Sequence, residues 1–259
     1  MLVYVFDNTL DGLLTAVFDS FFLHQQPEYL LAAGEQLPLF ADEPHTVVTD
    51  SGKAERVWKG LEKQLSKDGL HMITVSWFSE ERTLNQPLFN FICKVFRLKT
   101  NGLERNASDP DVLEVRNSCR RVLHEQLRMK QFIRFQKAKD GTYLAVVSPD
   151  HNVLPLVIGH FQDRFNDQQW LIYDAKRHYG YYYDGKTVIH VTFEDEAAVP
   201  FDLSSGKMDA DVLSDNDQLF QDLWRTYFKA ICIKERMNPR KQLSDMPRRY
   251  WKYMTEKNG

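Results

Sequence analysis

Three places in this chain gather side chains able to do chemistry. The first is Ser148-Pro149-Asp150-His151-Asn152, followed by Pro155 and His160. A carboxylate beside an imidazole is the pairing that general acid–base catalysis uses. The same residues read equally as helix caps, because Asp or Asn at a cap accepts a bond from a free backbone amide. His151 and His160 lie nine residues apart, a spacing that does not put two ligands on one helix face, so no metal site is expected from them. The second place is Asp174, followed by Lys176, Arg177 and His178. It reads as a polar site at a strand end or as an exposed turn. The third is Asp7-Asn8-Thr9-Leu10-Asp11-Gly12. It has neither the glycine spacing nor the lysine of a phosphate loop, and its two carboxylates repel phosphate, so it reads as a capped turn.

Nucleophiles are poorly served. Cys119 and His124 stand five apart on one expected helix and do not face each other, and the chain has no Gly-x-Ser-x-Gly. Cys93, Cys119 and Cys232 form no CxxC pair, which fits a reducing compartment and gives no ligand set for an iron–sulfur cluster. Neither a metal nor a cofactor is expected.

The C-terminal segment is the strongest binding candidate. Lys234, Arg236, Arg240, Lys241, Arg248, Arg249 and Lys252 interleave there with Tyr250, Trp251 and Tyr253. Cations hold phosphates, and aromatic faces stack on bases. Alternatively Tyr250 and Trp251 dock the tail while its charges stay solvated. Arg120, Arg121 and Arg134 could extend the same surface.

Net charge is only −3, but it hides stripes. Residues 1–52 carry −8 and no Lys or Arg, and residues 115–139 carry +7 with Glu125 as the single acid. Residues 184–222 carry −8 and residues 225–259 carry +7. Such stripes either cancel by packing side by side or leave a basic footprint.

The elements that must position these groups follow from period and punctuation. Val3–Phe6 reads as a buried strand rather than a signal peptide, since Asp7 follows at once and no basic residue precedes it. Helices are expected after an Asn8 or Thr9 cap, around 53–66 and 85–98, from Ser108-Asp109-Pro110 to about 128, over 153–165, and from Ser214 to Ile231. Residues 28–44 read as irregular, and Thr46–Val48 as a short strand. Alternation about Asp140-Gly141 and Asp184-Gly185 predicts two hairpins, at about 130–147 and 170–193. The expected fold is α+β with a mostly antiparallel sheet, an N-terminal strand and several packed helices. One domain spans 1–259, with a sub-domain division near 100–108 as the alternative. No apolar run reaches the length of a membrane span, and a cytoplasmic location is expected.

Over nearly its whole length the chain resembles a bacterial domain-of-unknown-function family of DNA metabolism and repair proteins. The resemblance is carried by Thr9–Phe18, Arg134-Phe135, Pro149–Pro155, Trp170–Asp174, Lys176-Arg177, Ile233–Arg240 and Met246–Lys252. It implies DNA as a partner, together with a radical-SAM protein acting in DNA modification or repair. Other members are joined to uracil-DNA-glycosylase-like domains. This chain has neither CxxxCxxC nor a glycosylase motif, so that chemistry lies in the partner. Members have Tyr-Asp-Gly near the start, where Phe6-Asp7-Asn8 stands here. The resemblance brings no catalytic residues with it.

Three functions are therefore weighed. One is an accessory factor that binds nucleic acid and presents it to the radical-SAM partner. Another is a stand-alone nucleic-acid-processing enzyme using Asp150, His151 and Asp174, which requires those residues to converge. The third is a protein-interaction module without DNA contact, which requires an exposed apolar patch.

Overall fold

The protein is described from a computed structural model covering residues 1–99, 102–193, 201–203, 205–209, 211–214, 216, 217, 219, 221–223, 225, 226, 239–254, 256 and 257. The chain divides into two compact units, Met1–Leu123 and His124–Gly259.

In the first unit, β1 (Val3–Phe6) is the centre of a three-stranded parallel sheet. It pairs with β2 (Tyr29–Ala32) on one side and β3 (His45–Thr46) on the other. Helices α1 (Leu10–Phe22), α2 (Ser51–Gln64), α3 (Lys67–Trp77) and α4 (Asn85–Leu98) complete the unit, with α1, α2 and α4 packed on one another. The starts of α1, α2 and α3 are chemically marked. Thr9 caps α1 by accepting from the Gly12 amide at 2.9 Å, and Asp50 caps α2 by accepting from Lys53. Ser66 caps α3 by accepting from Gly69. The Asp7 carboxylate takes the Thr9 amide and the Thr9 and Thr49 hydroxyls. Burial works to raise its pKa, but these bonds outweigh burial and lower it. The segment is a capped turn, as its sequence indicates.

One expectation is corrected here. Residues 29–32 are not irregular but form β2; α3 lies in a stretch to which the sequence pattern assigns no element. Leu30 and Ala32 supply the inward side of a short parallel strand whose partner is 26 residues away in sequence. A strand of four residues with a distant partner has no local turn to announce it.

In α5 (Pro110–Phe132), Asp109 takes the amides of Asp111 and Val112. This helix continues past the expected end at 128. Gln126, Leu127, Arg128, Met129 and Lys130 are all strong helix formers and outweigh the alternation that begins at Phe132.

The second unit holds a five-stranded mixed sheet in the order β4-β5-β6-β7-β8. Its strands are β4 (Gln136–Lys137), β5 (Tyr143–Val147), β6 (Trp170–Asp174), β7 (Tyr179–Tyr183) and β8 (Val188–Val191). Both hairpins form, since β4 pairs antiparallel with β5, and β6 with β7, which in turn pairs with β8. The join between them is parallel, with Tyr143 opposite Trp170 and Val147 opposite Asp174. The α+β class stands, but the sheet is not purely antiparallel. The chain from β5 to β6 carries α6 (Leu154–Arg164), long enough for the crossover a parallel pair needs. Strand β6 is buried along its whole length, as expected for a strand covered on both faces. Gly180 lies opposite Tyr173, and a Cβ there would meet the Ile172 carbonyl oxygen at 2.6 Å, so no side chain fits.

The chain then reaches α7 (Pro239–Asp245) and a 3-10 turn over Arg248–Tyr253. Half of the helix expected from Ser214 to Ile231 lies outside the described residues; of those described, 217, 219, 221–223, 225 and 226 are helical. The Asp217 carboxylate accepts from the Lys137 amide at 2.8 Å and from Gln221. No helix among the described residues is long and apolar enough to cross a membrane.

Candidate functional site

The second unit brings the loop 148–152, the turn after β6 and the C-terminal 3-10 turn into one network centred on Glu125. Glu125 lies on α5 and is 1% exposed. One carboxylate oxygen accepts from the Asp150 amide at 3.0 Å, the Tyr250 hydroxyl at 2.7 Å and Arg249 Nη2 at 3.3 Å. The other accepts from the His151 amide at 2.7 Å. Burial alone would raise the pKa of this carboxyl. The Tyr250 hydroxyl and the two amides more than offset that, and hold it below the ordinary value. Tyr250 is 3% exposed, and burial followed by its bond to Glu125 raises the pKa of its phenol.

A second buried carboxylate supports the same loop. Asp174 is fully buried at the end of β6. Its Oδ1 accepts from the amides of Lys176 and Arg177, and its Oδ2 from Arg177 Nη1 at 2.9 Å. The Arg177 guanidinium also donates to the carbonyls of Pro149 at 3.1 Å and Asp150 at 2.9 Å. Lys176 Nζ adds a bond to the Asp150 carbonyl. Burial raises the pKa of Asp174 despite the guanidinium beside it. Tyr179 donates to the Asn152 side chain. The loop 148–152 is thus clamped at its amides by Glu125 and at its carbonyls by Arg177 and Lys176.

The expected site residues divide accordingly. Asp150, His151 and Asp174 share one network, yet Asp174 is enclosed by its own turn. The Asp150 side chain is 54% exposed, with Oδ2 3.0 Å from Arg249 Nη2, and His151 is partly exposed. Asn152 does not cap α6 with its side chain, and Val153 occupies the cap position. Among the described residues no three His, Cys, Asp or Glu side chains are placed to hold a metal.

Of the binding candidates, Arg249 and Tyr250 both bond Glu125; Tyr250 is buried, while the Arg249 side chain is 40% exposed. Arg134 bonds Glu256 at 2.8 Å and the carbonyls of Gln131 and Ile133. Lys241 pairs with Asp245. Arg240, Arg248 and Lys252 are exposed. Trp251 is half-buried and donates to the Met246 carbonyl, with Arg248 and Lys257 at 5.9 and 4.9 Å from its ring. Lys234 and Arg236 lie outside the described residues. In the first unit Arg121 pairs with Glu81 and Glu114.

A family model described as a domain of unknown function, DUF4130, matches residues 82–256. The chain belongs to the DUF4130 family. The match covers the clamped loop, the Asp174 turn, Glu125 and the C-terminal turn, and leaves out the Thr9–Phe18 stretch. No curated protein matches the chain in sequence. Among solved structures, a pGpG-specific phosphodiesterase, PggH from Vibrio cholerae, is similar at 10% identity and a TM-score of 0.29, over 88% of this chain and 99% of that one. Similarity at that level transfers neither fold nor activity.

In this DUF4130 chain, the residue that sequence reasoning passed over is Glu125. It stood out only as the single acid in a basic stretch. Its position was legible all the same, because Val115, Cys119, Val122 and Met129 repeat at helical spacing and Glu125 falls on their buried stripe. A carboxylate on a buried stripe needs donors, and here the loop and the C-terminal turn supply them.

Proposed function

We propose that this protein is a DNA-repair or DNA-metabolism accessory factor that binds nucleic acid through its C-terminal segment and works with a radical-SAM partner. The observation that supports this reading is how Glu125 sorts the C-terminal cations. It binds Arg249 and the buried Tyr250 and thereby anchors the 3-10 turn. Arg248 and Lys252 are left exposed, and Arg248 has no carboxylate partner among the described residues. Arg248 and Lys257 both lie near the ring of half-buried Trp251, so an aromatic side chain adjoins the cations. Phosphate contact by such groups is electrostatic and independent of sequence. The DNA-repair setting and the radical-SAM partner come from the family resemblance.

The test is binding of labelled single- and double-stranded DNA across a salt series. Affinity should fall steeply with salt. The Arg248→Ala/Lys252→Ala protein should show a log–log slope shallower by about 1.4 to 1.8, the sum for two lost phosphate contacts. Absence of binding at low salt, or an unchanged slope in the double variant, would remove DNA contact from this segment.

The partner half of the reading is favoured by Leu39 and Phe40, which are 94% and 86% exposed in the first unit. Co-expression with the radical-SAM protein should yield a complex that Leu39→Ser/Phe40→Ser weakens. Undiminished co-purification of that variant would place the contact elsewhere.

A further inference from the structure

Arg121 pairs with Glu81 and Glu114, yet its neighbour Arg120 forms no ion pair with a described carboxylate. Arg120 instead lines a concavity of about 310 Å³ in the first unit, together with Arg105, Arg116, Asp68 and Glu104. Arg116 and Arg120 stand one helical turn apart on α5 and so share one of its faces. Arg105 ends the short 3-10 turn Leu103–Arg105. Arg105 and Arg120 are exposed, and Arg116 is half-buried.

Three like charges gathered at one concavity repel one another. Elsewhere in this unit Lys94 and Arg121 each bond two carboxylates. Arg105, Arg116 and Arg120 bond none among the described residues. Arg116 is held all the same, because its Nη2 donates to the Glu104 carbonyl at 2.7 Å. A neutral carbonyl fixes the guanidinium without cancelling its charge. The two acids of the lining have their own causes. Glu104 is 7% exposed, and one carboxylate oxygen accepts from the Ser66 hydroxyl at 2.8 Å. Its other oxygen is buried. Asp68 lies in the first turn of α3, where the positive end of a helix favours a carboxylate. Both acids work against an anion, and the three guanidiniums outnumber them.

We infer that this concavity binds a phosphate group through Arg105, Arg116 and Arg120. Near neutral pH a phosphate monoester carries a charge of about −1.5 to −2 and three strong acceptor oxygens. It therefore supplies the negative charge that the protein itself does not give these arginines. The planar guanidinium fork matches phosphate oxygens in geometry as well as in charge. The concavity is open to solvent, so the rest of a phosphate ester can remain outside it. The site goes beyond the C-terminal footprint and does not depend on it.

The experiment is calorimetric titration of the full chain, at low ionic strength, with inorganic phosphate, dAMP and deoxyadenosine. Phosphate and dAMP are expected to bind, and deoxyadenosine is not. Arg105→Ala/Arg120→Ala should weaken both by about tenfold or more, through the loss of charge-assisted bonds to the anion. Both side chains are exposed, and an unchanged thermal midpoint shows that the fold persists. Asp68→Asn should strengthen binding of both. Arg121→Ala removes the same kind of cation from the next position and should leave both nearly unchanged, because that guanidinium is already paired. Competition against dAMP identifies the source of the phosphate. Displacement by a 5′-phosphorylated oligonucleotide names a nucleic-acid strand, and failure to displace names a free phosphate compound; either result keeps the site. No binding of phosphate or dAMP, deoxyadenosine binding as tight as that of dAMP, or equal losses in Arg121→Ala and Arg105→Ala/Arg120→Ala would overturn the inference. Its failure is distinguishable from that of the C-terminal reading, since Arg248→Ala/Lys252→Ala should leave dAMP binding unchanged.

Discussion

Glu125→Ala is expected to destabilise the His124–Gly259 unit by about 3–5 kcal/mol, read as a lower urea midpoint. The substitution does more than delete a side chain. It leaves the amides of Asp150 and His151, the Tyr250 hydroxyl and one Arg249 donor without their shared acceptor. Buried donors stripped of a partner bear their desolvation penalty in full. Glu125→Gln keeps one carbonyl acceptor and should cost less. The two proteins also differ in pH response. Glu125 has a folded pKa lowered from 4.5, so its ionised form adds stability above that value and the contribution is lost as pH falls through the folded value. The stability gap between the wild type and Glu125→Gln should accordingly be wide at neutral pH and narrow in acid. Asp174 runs the other way. Its pKa is raised from 3.8 by burial, so its ionisation costs stability as pH climbs through and above that value. A gap independent of pH would show that Glu125 is not the linked group.

Arg177→Ala should cost a similar amount, about 3–5 kcal/mol, because it breaks a buried ion pair from one side. Asp174 is fully buried, and the guanidinium is its only cationic partner among the described residues. The same loss uncovers the carbonyls of Pro149 and Asp150. The deficit should shrink at low pH, where Asp174 is protonated and needs no counter-charge. Asp174→Asn/Arg177→Ala should be less destabilised than the two single changes added together, which a double-mutant cycle of unfolding free energies measures. Strict additivity would mean that the pair is not coupled. Neither Arg177→Ala nor Glu125→Ala is a clean probe of DNA binding, since both loosen the scaffold. Arg248 and Lys252 are the clean probes, since both side chains are exposed.

The separation of roles within one short motif has functional weight. Arg248 and Arg249 are adjacent, identical in type and equally plausible as phosphate ligands from sequence. Arg249 is tied to Glu125, Asp150 and Tyr250, while Arg248 lies over Trp251. Which arginine is held by carboxylates is decided by where the single buried carboxylate of α5 lies, some 124 residues earlier.

By itself the sequence determined those features whose cause is local. Helices α1, α2, α4, α5 and α6 were legible because apolar residues recur at helical spacing, with Thr9 and Asp109-Pro110 also marking the starts of α1 and α5. Both hairpins were legible because Asp140-Gly141 and Asp184-Gly185 turn the chain between strands that then pair with their neighbours. The grouping of Asp150, His151 and Asp174 as polar loop residues was legible for the same reason. Only the tertiary structure decided that β1 takes two parallel partners, that β5 and β6 run parallel, and that Glu125, Asp150, Arg249 and Tyr250 meet. Parallel pairing and buried polar networks join residues far apart in sequence. The free energy that selects them comes from satisfying donors and acceptors in a shared interior, and no local pattern of residues records it.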